Sequence, residues 1–222
     1  MISGVTAALL RLLAIGYGLF GALLILAPEF AAPAFAWRVE PLAVMTMGGW
    51  CLGNAAYAWT SARIARWSTI AISVLYLGGF GIFEAAVAWM FQGAIRWQAA
   101  LTPWYIALLI LNVVTALVAF GDWFRTRAPL DRGERMRWWE RAAAIGFVAF
   151  VAFLAYRGSL ARAGGLSTEG GIFPTKLTLF SVRAFAAFYL ALALAALPAI
   201  WMRSADAWIA SIRNGMWLIV PI

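Results

Sequence analysis

The sequence predicts an all-α polytopic membrane bundle of about six transmembrane helices, plus a C-terminal helix that lies in the interface or forms a seventh span. Three observations predict it. The 222 residues are 65% hydrophobic with a mean hydropathy of +0.87, more apolar surface than a soluble domain hides, whereas lipid solvates it. Six apolar segments come near the length of about 20 residues that a helix needs to cross a bilayer. Seventeen basic residues are unevenly shared between alternate loops, as the positive-inside rule requires. No stretch between spans is long enough for a soluble domain, so residues 1–222 read as one transmembrane domain.

Span one is Thr6–Leu26. Ala32-Pro33-Ala34 and Ala34-Phe35-Ala36 beyond it would suit a signal peptidase. The apolar run is long, however, and its basic residue Arg11 lies inside it, so it is expected to stay as a span. Its Gly16-Tyr17-Gly18-Leu19-Phe20-Gly21 matches the dinucleotide fingerprint in letters alone. That motif needs a preceding strand and a phosphate-facing helix start. Inside a membrane helix such glycines instead admit a neighbouring helix.

Span two, Pro41–Thr60, carries a small-residue face at Gly49 and Gly53, extended by Ala56. Span three, Ser68–Phe91, carries one at Gly78, Gly79 and Gly81. Both are packing signals, expected to serve mainly the chain's own bundle. Spans four, five and six are Thr102–Asp122, Trp139–Tyr156 and Thr178–Met202, with Pro198 near the end of the last. In Asp206–Ile222 the apolar residues surround Arg213 and Asn214. This favours a helix in the cytoplasmic interface with tryptophans at headgroup level; a tilted seventh span is the alternative.

Arg63 and Arg66 follow span two, Arg203 follows span six, and Arg125, Arg127, Arg132, Arg135 and Arg137 form a basic patch after span four. The intervening loops carry fewer: Arg38, then Arg96, then Arg157, Arg162 and Lys176. The N-terminus and the loops after even spans are therefore expected in the cytoplasm of a bacterium, with the chain in its inner membrane. The 123–138 loop, broken by Pro129 and Gly133 and interleaved with Asp131, Glu134 and Glu140, reads as a solvated connector. A docking patch for acidic partners or anionic lipid is the sharper reading. The 157–176 loop, with Gly164-Gly165, Gly170-Gly171 and Phe173-Pro174, reads as a turning connector.

A tandem repeat is also suggested. Arg11-Leu12-Leu13-Ala14-Ile15-Gly16-Tyr17 resembles Arg141-Ala142-Ala143-Ala144-Ile145-Gly146-Phe147, and the 48–53 segment lines up with 186–191. Residues 1–92 and 139–222 would be the two copies, joined by span 102–122 and the basic loop 123–138.

Two ionisable residues fall well inside spans, Glu84 and Arg183. A charge in hydrocarbon is costly and needs a partner. Helical rise puts both about 8–12 Å below the outer surface, so an ion pair between spans three and six is expected. Asn54 and Asn112, with Thr115 and Ser73, are expected to hydrogen-bond between helices. Most of the thirteen tryptophans, Trp37 and Trp67 among them, fall near span ends as an aromatic belt. Trp50 and Trp89 lie deeper, where acyl chains, a pigment or a quinone ring would pack on them.

Histidine is absent, which removes the commonest metal ligand and the usual general base. The single cysteine, Cys51, excludes an intrachain disulfide and reads as a small buried hydrophobe. With no metal ligands, no acid–base set and no continuous polar path, the leading expectation is a non-catalytic accessory or scaffold subunit of a respiratory or photosynthetic type of complex. A small-solute transporter or channel with a polar site at Glu84 and Arg183 is one alternative. A lipid-, quinone- or pigment-binding protein, with an apolar groove ending at one of those residues, is the other. No cofactor is required; bound lipid is expected, and carotenoid, chlorophyll or quinone fits the composition. The expected partners are membrane lipids and other membrane subunits, not nucleic acid: the net charge of +8 lies beside spans, where orientation and anionic headgroups account for it.

Overall fold

The computed structural model describes residues 1–128, 135–161, 177–201 and 206–215. Among the described residues the chain is an all-α bundle without strands: α1 Gly4–Leu26, α2 Pro28–Ala34, α3 Pro41–Ile64, α4 Trp67–Met90, α5 Thr102–Thr126, α6 Trp138–Leu160, α7 Leu179–Ala196 and α8 Asp206–Gly215. Each of the six expected spans falls on one long helix. Five are long and apolar enough to cross a membrane: α1, α4, α5, α6, and α7 with the 3₁₀ turn that carries it to Ile200.

The remaining long helix, α3, has the length for a span but not the apolarity. It packs against α1, α2, α4 and α8, and more than half its residues are buried. A helix wrapped by protein needs little lipid-solvated surface, so glycine, asparagine and serine are tolerated there.

Glycine sets the closest approaches. A Cβ on Gly21 of α1 would lie 2.8 Å from the Gly48 carbonyl oxygen of α3. Gly49 and Gly53 are also buried on α3, but this contact runs through Gly48. On α4, a Cβ on Gly78 would lie 2.9 Å from Ala116 and one on Gly81 3.1 Å from Asn112, both on α5. Gly79 faces α7 at Leu194 and Ala191. The small face of α4 thus serves the chain's own bundle. The α6 helix packs chiefly on α7, and its apolar window is the least buried of the five, at 22%.

The alternation of charge corresponds to two ends. At the basic end, Ile2 N–H donates to the Ala65 carbonyl at 2.9 Å. Beside it, Ser3 N–H donates to the Asp122 carboxylate at 2.6 Å and the Thr6 hydroxyl at 3.3 Å. Buried Asp122 also pairs with exposed Arg125 at 3.5 Å. Two helices stop here on left-handed residues, α3 at Ala65 (φ 54°) and α5 at Arg127 (φ 47°). Arg127 also lies over the Phe124 ring, Glu140 accepts the Arg137 N–H at 2.6 Å, and Arg135 is exposed. Arg132, with Pro129, Asp131, Gly133 and Glu134, lies outside the described residues, as do the 162–176 loop, Arg203 and residues 216–222.

At the opposite end α2 and the segment after it fold back over the bundle. Leu101 N–H donates to the Ala34 carbonyl at 3.0 Å and Arg96 N–H to the Ala36 carbonyl at 2.7 Å. The Arg96 guanidinium adds a bond to the Pro33 carbonyl at 2.7 Å. The described C-terminal helix, α8, covers about 15 Å, roughly half a hydrocarbon core. It packs into the bundle against α4 and α3: the Tyr57 hydroxyl donates to the Ser211 carbonyl at 3.0 Å, and Trp208 meets Phe147 edge-on.

Candidate functional site

Glu84 stands on the inward face of α4, one turn beyond Phe80, and is 3% exposed. The turn before it is crowded by Gly81 against Asn112. Beyond that contact α4 and α5 leave room between them, and a cavity of about 30 Å³ opens beside the carboxyl. Tyr17 and Phe20 of α1, Trp50 and Cys51 of α3, and Tyr105 and Leu109 of α5 are among its walls. The folded-back segment closes it at the non-basic end. There Trp37 stacks on Phe180 with centroids 4.2 Å apart and meets Phe35 and Tyr105 edge-on, and its indole N–H donates to the Ser181 hydroxyl at 3.0 Å.

Inside this apolar box the polar groups are few. The Tyr105 hydroxyl donates to Glu84 Oε2 over a long 3.5 Å. Behind the lining, Asn112 Nδ2 donates to the hydroxyl of Tyr17, which does border the cavity, at 3.2 Å. Glu84 Oε1 is buried with no hydrogen-bond partner among the described residues, and so is Asn112 Oδ1. Buried polar atoms nearly always find a partner, in protein, water or ligand. A cavity of this size takes one or two waters, or one hydroxyl- or carbonyl-sized group. The arrangement therefore suits hydrogen bonding to a small polar head among aromatic rings. No cluster of three or more metal-ligating acids and cysteines occurs among the described residues.

The expected ion pair between Glu84 and Arg183 is not formed. Arg183 Nη1 donates to the Gly158 carbonyl at 2.6 Å and Nη2 to the Ala161 carbonyl at 3.1 Å. It thus fills acceptors left over where α6 ends, where a cation is also favoured by the helix dipole. Depth was not at fault. Successive helical residues point about 100° apart, so Ala184 borders the cavity while Arg183 turns to α6.

Other expectations divide. Asn112 bonds between helices as expected, but both amide atoms of Asn54 are buried without a partner among the described residues. Thr115 turns back to the Leu111 carbonyl of its own helix. Trp37 and Trp67, expected in the belt, are 2% and 3% exposed. Trp50 stacks on Phe188 at 4.2 Å, so a protein ring fills the place considered for a pigment or quinone. Trp89 is 73% exposed, and Cys51 is buried as expected. Tyr17, Tyr105, Leu109 and the Phe35–Trp37 segment were missed; the one available signal was a run of aromatics in a connector too short to be a span. Comparison with known proteins finds no matching family model, no matching curated protein and no matching solved structure.

Proposed function

We propose that this integral membrane protein binds a small molecule dissolved in the lipid phase, with an apolar body and a hydroxyl or carbonyl head, as in quinones and lipid alcohols. The observation that carries the reading is Glu84, which borders the cavity and whose Oε1 is buried with no hydrogen-bond partner among the described residues. Tyr105 is placed to share the head with it. The transporter alternative is weaker, because it used Arg183, whose guanidinium is taken up by α6. The reading puts the chain in a bacterial inner membrane with its basic end in the cytoplasm, supported by Arg63, Arg66, Arg125, Arg127, Arg135 and Arg137.

The test is native mass spectrometry of protein extracted from its own membranes in mild detergent, followed by solvent extraction. A retained small molecule is expected on the wild type and absent from folded Glu84→Ala. A well-folded wild type at the mass of the polypeptide alone would overturn the reading.

The accessory-subunit reading keeps one specific observation. Phe147, Phe150, Phe153 and Tyr156 of α6 are all exposed, which suits a partner helix as well as lipid. Its distinguishing result in the same spectrum is a second polypeptide in fixed stoichiometry.

A further inference from the structure

A second, larger space lies on the exposed side of the same helix pair. It is a groove of about 390 Å³ between α4 and α5. On α4 its floor is Ala85 and Ala88, side chains too small to fill the space. Across from them stand Ile106, Leu109 and Val113 of α5. On α4 it ends at Ala85, one turn short of Gly81, while on α5 it runs past Asn112 to Val113 and Val114. At its other end Trp89 and Trp97, both largely exposed, form the rim.

Leu109 belongs to both spaces. It is 4% exposed and borders the Glu84 cavity as well as the groove. Ala85 and Ala88 lie within about one helical turn of Glu84. One leucine side chain therefore forms part of the partition between a buried, unpartnered carboxyl oxygen and a groove on the face that lipid solvates. At the non-basic end the described Phe35–Trp37 segment covers the cavity and is held by hydrogen bonds and ring stacking.

We infer that the α4–α5 groove is the seat of the ligand's apolar body and the lateral portal to Glu84, with Leu109 as its gate. This rests on the proposed function and extends it. The cavity holds only the head, and the groove is within the usual range of ligand pockets, about 300–1,000 Å³. The occupant is one lipid-phase amphiphile: the groove is apolar, opens between membrane helices, and ends against a hydrogen-bonding carboxyl. Leu109 swings aside for the head to pass and then packs on the bound molecule.

Cys51 reports on the portal without any ligand, because it borders the cavity and is the chain's single cysteine. The protein is reconstituted in phosphatidylcholine vesicles and treated with lipid-soluble N-phenylmaleimide or with a charged, membrane-impermeant methanethiosulfonate. Labelling is followed by intact mass, with detergent-unfolded protein as the fully labelled control. Leu109→Ala is expected to raise the N-phenylmaleimide rate about tenfold, because the truncation removes the obstructing side chain. Leu117→Ala is the control, since Leu117 lies exposed on the same helix and borders neither space; its rate should stay near that of the wild type. Equal rates in all three, no labelling of any folded form, or equally fast labelling by the charged reagent would overturn the portal. A wild type that retains no molecule while Leu109→Ala still speeds labelling refutes the binding reading instead and leaves the portal standing.

Discussion

At the α6–α7 contact, the Arg183 guanidinium fills two carbonyls where a helix ends. At the α4–α5 contact, Glu84 borders a cavity, with one weak phenol bond and one oxygen that has no partner among the described residues. Both residues interrupt apolar helices, and helical rise puts them at similar depth. The difference teaches that an intramembrane charge is not a site by virtue of being there. Arg183 is consumed by the backbone; Glu84 keeps an unused hydrogen-bonding position. Asp122 belongs with Arg183, because its carboxylate is used by Ser3, Thr6 and Arg125.

The comparison breaks or sharpens on substitutions at four positions. Arg183→Ala should be the most damaging, at about 3 kcal/mol, because two charge-assisted bonds are lost and two carbonyls released. Reversible unfolding in mixed micelles measures it, and Arg183→Lys should recover only part, since an ammonium lacks the planar fork. Asp122→Ala should lose about 2 kcal/mol in the same assay, with faster amide exchange in the first turn of α1. Glu84→Gln should shift stability by less than about 1 kcal/mol, since one long bond is at stake, yet lower ligand retention in native mass spectrometry. A loss as large as that of Arg183→Ala would put Glu84 among the structural charges. The smallest effect is a gain: Ala65→Gly, at φ 54°, should add about 0.5 kcal/mol by relieving a left-handed alanine. It touches neither charge and sets the scale of a pure backbone change.

How much of this was legible in the sequence follows from what each inference needs. Hydropathy and length suffice to find the long helices, because lipid imposes one requirement on every span. The packing glycines Gly78, Gly79 and Gly81 were legible because missing side chains permit close approach whatever the partner. The common level of Glu84 and Arg183 was legible too, since rise per residue is fixed and Ala184, next to Arg183, borders the same cavity as Glu84. Azimuth was not: whether Arg183 or Ala184 faces Glu84 depends on how α7 is rotated by its neighbours. Trp37 was misread for a related reason. A tryptophan next to a span end suits a headgroup region, but α2 turns the connector inward, and the Ser181 hydroxyl and Phe180 ring take up the indole. The pocket draws on five helices and a connector, so no local pattern announces it.

The weak apolarity of α3 has a consequence for how the chain is made. A nascent helix with asparagine, serine and several glycines gains little by leaving the insertion channel for lipid alone. Its most extensive contact is with α1, the segment synthesised just before it and joined to it by residues 27–40. Gly21 and Gly48 let the two backbones meet early, so that one helix shields what the other cannot expose. Residues 4–64 would then enter the bilayer as a hairpin, and a bulky side chain at Gly48 would show first as failed biogenesis, before any loss of stability in the finished protein.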